Sequence, residues 1–438
     1  MKNNWHFSSL GIDKVKKLSG KYTGLLTDEV FYTQGSNTGI HMNICTASLP
    51  NYEKFIVSPK SEINYHLAGY GTNLNDSLTR LGGESVERAA GAVSQLYLKK
   101  RIVRATYSEL NEKAINLEYL TPYTNEQLKR LHSLNSDFLS KNPDFETQQD
   151  WVRANSLFYP QQSIYIPKNT FLFGSQSKKR TFLAVSTGTA AHINWQKALL
   201  NSLIEYIQID AFMYSWYSAK KYNGIYLEQL KDRSLTDKLF ELLGIYKNYY
   251  RCLIIDISKY AQVPLNIFGI FLISKDKNGI PALSFGLQGG LNKEETLIRA
   301  FSEALADIKM AETNFIKNSR FSEINIDNII NFDKNVEYFA NPKNYKKNVE
   351  YLLHRINLVQ ELNNDESVKN LSEIIEYLKK IAPQTSFLDI TPPYVYGYRV
   401  ARVFIPEFLA MTYPSFPQLN HPRLRKYAHD SFYIHPMP

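Results

Sequence analysis

Cysteine is almost missing from this chain: among 438 residues only Cys45 and Cys252 occur, each inside an apolar stretch and with no C-x-x-C pair. Neither a zinc site nor a disulfide framework has the spacing it needs, and two buried free thiols in a reducing compartment are expected. Long hydrophobic runs are missing too. The longest, residues 263–273, is interrupted by Pro264, Asn266 and Gly269 and is too short to span a bilayer. The start, Met1-Lys2-Asn3-Asn4-Trp5, lacks the charged and apolar regions of a secretion signal. A cytoplasmic protein with no membrane contact is the expectation.

Charge of one sign never accumulates. The formal charge of +9 is spread along the chain, and the basic runs, such as Lys99-Lys100-Arg101 and Lys178-Lys179-Arg180, are short. No nucleic-acid partner is expected from such a distribution. The usual catalytic signatures are absent as well. There is no G-x-x-x-x-G-K-[ST] loop, no kinase motif set, no G-x-G-x-x-G opening a helix, no H-E-x-x-H and no G-x-S-x-G elbow. If a nucleotide binds here, carboxylate-held metal must do the work of a P-loop.

What is present is a large potential core, with 44% hydrophobic and 13% aromatic residues. Periodicity predicts helices over 74–101, 194–216, 227–243, 293–313, 348–362 and 366–381. Strands are expected over 24–33, 39–48, 163–167, 170–173, 181–186, 252–257, 266–274, 281–286 and 395–405, with Gly289-Gly290 breaking the chain. The division that follows is a strand-rich segment 1–60, a core 61–317, a helical insertion 318–386 rich in Asn, Asp, Lys and Glu, and a C-terminal strand and tail 387–438.

Three of these helices carry polar pairs at helical spacing. Glu84 and Glu87, followed by Arg88 and preceded by Gly82-Gly83, share one helix face. Glu205 and Gln208 form a narrow polar stripe on a helix that is apolar nearly all round. A carboxylate there needs a cation, a metal or a proton. Arg299 and Glu303 stand four apart with Asp307 one turn on, a spacing that by itself reads as a surface salt bridge. Converging oxygen ligands favour Mg²⁺, which typically arrives with phosphates. The turn Ser186-Thr187-Gly188-Thr189 feeds the second helix, with His192 beside it either to contact a ligand or to pack the helix start. The last residues, Ile434-His435-Pro436-Met437-Pro438, are stiffened by two prolines. The Pro438 carboxylate, held in a defined place, is a candidate general base.

In this order and spacing, Gly83-Glu84-x-x-Glu87-Arg88, Ser186-Thr187-Gly188-Thr189-Ala190-Ala191 with Glu205 to Asp210, Arg299-x-x-x-Glu303 and Pro436-x-Pro438 resemble the YcaO family. The resemblance is closest to its azoline-forming cyclodehydratases of thiazole/oxazole-modified peptide and bacteriocin biosynthesis. It implies an α+β fold, with mixed, mostly antiparallel sheets flanked by helices that line a nucleotide cavity. It also implies ATP and Mg²⁺ as cofactors. By the same resemblance Glu84, Glu87, Glu205 and Glu303 would hold the metal. Glu84, Arg88, Ser186, Thr187, Gln208 and Arg299 would contact ATP. Arg299 and the Pro438 carboxylate would assist catalysis.

The reaction implied is addition of a Cys, Ser or Thr side chain to the preceding amide, phosphorylation of the resulting oxygen and loss of phosphate to leave a thiazoline or oxazoline. Thioamide or macroamidine formation, or a non-catalytic scaffold, are the alternatives. The implied partners are a precursor peptide, a separate E1-like leader-binding protein, an FMN-dependent azoline dehydrogenase and a second copy in a homodimer. The chain departs from the family pattern at Gln208 and Ile209, where Glu and Arg are common, and at Arg80 and Tyr70, where a small residue and a Lys are common.

Overall fold

The computed structural model describes residues 10–20, 25–26, 31–33, 42–50, 66–172, 186–318, 321–362, 367–395, 397–427 and 432–437. Three long helices organise it, and each starts at an asparagine. Helix α1 (Leu74–Tyr97) is capped by Asn73, whose side chain accepts from the Asp76 N–H at 2.9 Å. Helix α2 (Trp195–Tyr217) is capped by Asn194, which accepts from Lys197 N–H at 3.0 Å. Helix α3 (Lys293–Asn318) follows Asn292, whose side chain accepts from Glu295 N–H at 2.9 Å. Each cap satisfies an amide that the helix cannot.

The strands in chain order are β1 (Phe31–Thr33), β2 (Asn43–Ser48), β3 (His66–Gly71), β4 (Ile102–Ala105), β5 (Gln149–Ser156), β6 (Ser163–Pro167) and β7 (Thr189–His192). They continue with β8 (Tyr222–Tyr226), β9 (Tyr250–Asp256), β10 (Asn266–Ser274), β11 (Leu283–Gly290), β12 (Ile356–Leu358), β13 (Ser386–Asp389) and β14 (Arg399–Phe404). They make three sheets, ordered β1-β2-β3, β4-β5-β13-β14-β7 with β6 alongside β5, and β11-β10-β9-β8-β12. All the pairs are antiparallel except β12 with β8. The α+β expectation, mixed and mostly antiparallel sheets flanked by helices, is met.

The helices join the sheets. α1 packs on β3 and β2 and touches β7; α2 lies on β14, β7 and β11; α3 covers β11 and β10. Small residues make the close approach of α1 possible, with Gly82, Ala89, Ala90 and Ala92 all buried. α2 is apolar nearly all round because it is enclosed between two sheets, with Leu203, Ile207, Ala211 and Phe212 fully covered.

Several local expectations fail for identifiable reasons. Gly289 and Gly290 do not break the chain; they end β11, paired with Ile267 and Asn266 of β10. The predicted helix 348–362 stops at His354. Arg355 turns the chain, its guanidinium donating to Ser215 and Lys220 carbonyls at 2.7 and 2.8 Å, and β12 follows. Residues Lys168–Phe171 form a helical turn where a strand over 170–173 is expected. The helix predicted over 227–243 starts at Arg233, because Asp232 caps it by accepting from Leu235 N–H at 3.0 Å. Of the strand predicted over 181–186, residues 181–185 lie outside the described residues.

Residues from the Asn- and Lys-rich stretch enter the main core through Tyr338, Phe339, Leu352, Ile374 and Leu378. The same stretch docks the tail. Asn335, fully buried, donates through Nδ2 to the carbonyls of His435 at 2.8 Å and Met437 at 2.7 Å. From the other side Trp216 of α2 donates to the Tyr433 carbonyl at 2.9 Å. Pro438 lies outside the described residues. Cys45 and Cys252 are buried free thiols, both pushed upward by burial, Cys45 to about 11. Among the described residues no helix is long and apolar enough to cross a membrane.

Candidate active site

Glu84 and Glu87 stand on the face of α1 that looks toward α2, where Glu205 meets them. Glu84 accepts from the Ala68 N–H of β3 at 2.9 Å, and its other oxygen lies 3.5 Å from Arg88. Glu205 accepts from the Gly188 N–H at 3.1 Å. Gly188 has φ +79°, and a Cβ there would meet the Val403 carbonyl at 2.6 Å and the Tyr206 ring at 2.7 Å. The glycine is required both by its backbone angle and by the closeness of β14.

Glu87 differs from its neighbours: its carboxylate makes no hydrogen bond within the described residues. Burial holds it well above the ordinary carboxylate range; Arg88 and Arg402 oppose the shift, and the negative charges of Glu205 and Glu84 add to it. Burial likewise pushes Glu205 up to about 7, against the pull of Arg88, the Gly188 N–H and Arg402. A half-buried carboxylate with open lone pairs and acidic neighbours gains most from a bound cation.

Arg402, on β14, is the residue that sequence reasoning missed. It is 3% exposed and donates to the carbonyls of Phe171 at 3.1 Å and Thr187 at 2.7 Å and to the Thr189 hydroxyl at 2.8 Å. Burial lowers it to about 10, while Tyr206, Glu205 and Glu87 favour its charge. It therefore fixes the 186–189 turn and gives the carboxylates a buried counter-charge. A lone Arg between Ala401 and Val403 in an apolar strand was the available signal.

The third helix departs from the salt-bridge expectation. Glu303 accepts from the Leu287 N–H at 2.9 Å and the Gln288 side chain at 3.0 Å, both on β11. Burial raises it to about 7 despite these bonds and the Arg299 charge. Asp307 accepts from Phe285 N–H at 3.3 Å and is also raised to about 7 by burial. Arg299 makes no salt bridge among the described residues and lines a cavity of about 320 Å³ with Arg80. Tyr70 lies among Glu303, Arg299, Arg80 and Glu84, its hydroxyl pushed up chiefly by burial.

Gln208 is not open in the way Glu87 is. Its nitrogen donates to the Leu287 carbonyl at 3.2 Å and its oxygen accepts from Gly289 N–H at 2.6 Å. A Cβ on Gly289 would meet the Gln208 Cβ at 2.9 Å, which explains the glycine at the end of β11. Asp210, two residues on, accepts from Leu409 N–H at 2.9 Å and Arg423 at 2.6 Å. Thr187 accepts at its hydroxyl from Met411 N–H at 3.3 Å, and the Ser186 carbonyl closes the turn by accepting from Thr189 N–H at 2.8 Å. His192 accepts from Asn194 N–H at 2.9 Å, a helix-start contact.

As the side chains stand, no three His, Cys, Asp or Glu of the described residues converge on one metal position. The donor set nevertheless suits Mg²⁺. It is all oxygen, Glu87, Glu205 and Glu303 are raised by burial, and Mg²⁺ is ordinarily held by one or two carboxylates with phosphate and water completing the shell. An all-protein cage is not what these residues offer.

A sequence model of one family, described as YcaO cyclodehydratase, ATP- and Mg²⁺-binding, matches residues 68–409. A search of curated proteins gives no match. Among solved structures, a heterocyclase in complex with substrate and cofactor matches with TM-score 0.68 and 16% identity over 98% of this chain, which spans 57% of that protein's length. The E. coli microcin synthetase McbBCD complex with pro-MccB17 bound matches with TM-score 0.63 and 15% identity, over 93% of this chain and 96% of the other. YcaO from Methanopyrus kandleri, bound with AMPPCP and Mg²⁺, matches with TM-score 0.59 and 14% identity, over 87% and 86%. These likenesses are likenesses of fold, and the family match spans most of the chain, α1, α2 and α3 included. The chain belongs to the YcaO family, whose ligands are ATP and Mg²⁺.

Proposed function

We propose that the protein is an ATP-dependent cyclodehydratase subunit that converts Cys, Ser or Thr of a ribosomally made precursor peptide to thiazoline or oxazoline. The observation that carries this reading is Glu87, a carboxylate without a hydrogen bond, set between Glu84 and Glu205 and facing Arg88 and Arg402. Such a group has both oxygens open and suits a metal-phosphate ligand.

In the proposed reaction the side-chain sulfur or oxygen gives up its proton and bonds to the preceding carbonyl carbon, and the carbonyl oxygen takes the γ-phosphoryl of ATP, releasing ADP. The carbon-oxygen bond then breaks as phosphate departs, and the nitrogen loses its proton to form C=N. The peptide loses one water per ring. Mg²⁺, when bound, neutralises charge on the transferring phosphoryl. Glu84, Glu87, Glu205 and Glu303 would hold it. Arg299 and Arg88 would orient phosphates, with Ser186, Thr187 and Gln208 shaping the wall behind them. The Pro438 carboxylate would assist these proton transfers; upstream of it, Asn335 holds the carbonyls of His435 and Met437.

The synthetase and heterocyclase of similar fold carry a pro-peptide or substrate, which supports a peptide substrate here. An E1-like leader-binding chain would present the peptide, an FMN-dependent dehydrogenase would act on the product, and a second copy would complete a homodimer. The test is to combine the protein with ATP, Mg²⁺, precursor peptide and the E1-like chain, and to weigh the product. Loss of one water mass per ring is expected. Replacement of oxygen by sulfur would transfer the reading to thioamide formation. No mass change and no ADP in any combination would leave a scaffold.

A further inference from the structure

A cavity of about 320 Å³ opens beside the carboxylates, between the first turns of α1 and α3, lined by Asp76, Arg80, Glu294, Glu295, Arg299 and Ser302. Residues four apart share a helix face. α1 therefore presents Asp76, Arg80 and Glu84 in one row, and α3 presents Glu295, Arg299 and Glu303 in a matching row. Along both rows the order is acid, guanidinium, acid. Tyr70 of β3 lies between them, close enough to feel the charges of Glu303, Arg299, Arg80 and Glu84.

The two guanidiniums are an unusual pair. Neither is within salt-bridge distance of a carboxylate among the described residues; burial and then the charge of Arg299 weigh on Arg80, with Tyr70, Asp76 and Glu295 opposing them in part. Arg80 is held in place by its Nη1, which donates to the Tyr70 carbonyl at 2.9 Å, and by stacking 5.6 Å over the Tyr70 ring. Two like charges at one cavity repel, and an anion with several oxygens relieves that repulsion through charge-assisted hydrogen bonds. A polyphosphate has the charge and the reach for both sides.

We propose that Arg80 and Arg299 form a two-sided clamp on the polyphosphate of the nucleotide, one guanidinium from each helix, with Arg80 a phosphate-binding residue in its own right. The proposal rests on the binding of ATP at this site. Glu84 and Glu303 lie one turn deeper in each row, which places the metal-bound phosphates beneath the clamp. Asp76, Glu294 and Glu295 at the mouth offer acceptors to the sugar hydroxyls.

The experiment is calorimetric titration of the full chain with ATP, ADP and AMP in Mg²⁺, comparing wild type with Arg80→Ala, Arg80→Gln and Arg80→Lys. Loss of the guanidinium should weaken ATP about tenfold to a hundredfold, and AMP by less than about threefold because only one phosphate is presented. Arg80→Gln keeps a donor for the Tyr70 carbonyl and should behave like Arg80→Ala; Arg80→Lys should recover part of the loss. Wild-type affinity in Arg80→Gln, or an equal loss for all three nucleotides, would overturn the clamp. Failure of the wild type to bind ATP would instead remove the underlying assignment, and it shows in the first titration.

Discussion

On α1, Glu87 makes no hydrogen bond and Glu84 gives one oxygen to a backbone amide; on α2, Gln208 stands at the position matching Glu87, three residues after Glu205, and both its amide atoms are taken by β11. The two helices bring the same spacing to one site and use it differently. A neutral amide matches the alternating carbonyl and N–H of a strand end, so Gln208 joins α2 to β11. A carboxylate cannot do this without facing the Leu287 carbonyl. On the α1 wall Glu84 is bonded and Glu87 keeps both oxygens for a ligand, whereas on the α2 wall Gln208 is wholly committed to architecture and one oxygen of Glu205 is held by the Gly188 N–H.

The strongest way to break this comparison is Glu87→Gln. If α1 is the ligand-holding wall, Mg²⁺-ATP turnover should fall about a hundredfold, with thermal unfolding unchanged, as read by phosphate release and a melting curve. Retained turnover would make the two walls equivalent. The converse exchange, Gln208→Glu, sharpens the comparison from the other side. It removes a donor and sets a carboxylate against the Leu287 carbonyl, and should lower stability by about 1–3 kcal/mol in urea unfolding. Undiminished stability would mean that the strand contact is dispensable.

The smallest effect concerns pH. Glu205 and Glu303 are raised by burial from 4.5 to about 7 in the folded chain. Between those values the folded state keeps protons that the unfolded chain has released. The contribution to stability is therefore complete below about 4.5 and is lost as pH rises through about 7. Melting temperature without nucleotide should fall between pH about 5 and about 8, and Mg²⁺-ATP should flatten the slope. A melting temperature that rises over this range would contradict the buried, protonated state of Glu205 and Glu303.

The helices were legible because their periodicity is long and their caps are local: Asn73 and Asn194 stand immediately before α1 and α2. Glycine misled where its purpose was tertiary. Gly289 ends a strand rather than breaking it, since its missing side chain admits Gln208, which lies 81 positions earlier. Arg355 ended a predicted helix for a similar reason, its guanidinium finding carbonyls on the far side of the core. The Glu84, Glu87, Glu205 and Glu303 set could be chosen from spacing. Their differences could not, because whether a carboxylate is bonded to a strand amide depends on sheet order. Arg402 was hidden in the same way, as its partners lie in the 186–189 turn and near Phe171.

The position of Arg402 on β14 also has a consequence for biosynthesis. A ribosome that has just completed α3 has made the helices that carry Glu84, Glu87, Glu205 and Glu303, but neither Arg402 nor the strand that delivers it. Until β14 emerges and pairs with β7, Glu87 and Glu205 have the charge of Arg88 beside them but not that of Arg402, which also fixes the 186–189 turn. The order of translation therefore delays completion of the site, and a nascent chain stopped before Arg399 should remain open there to proteolysis.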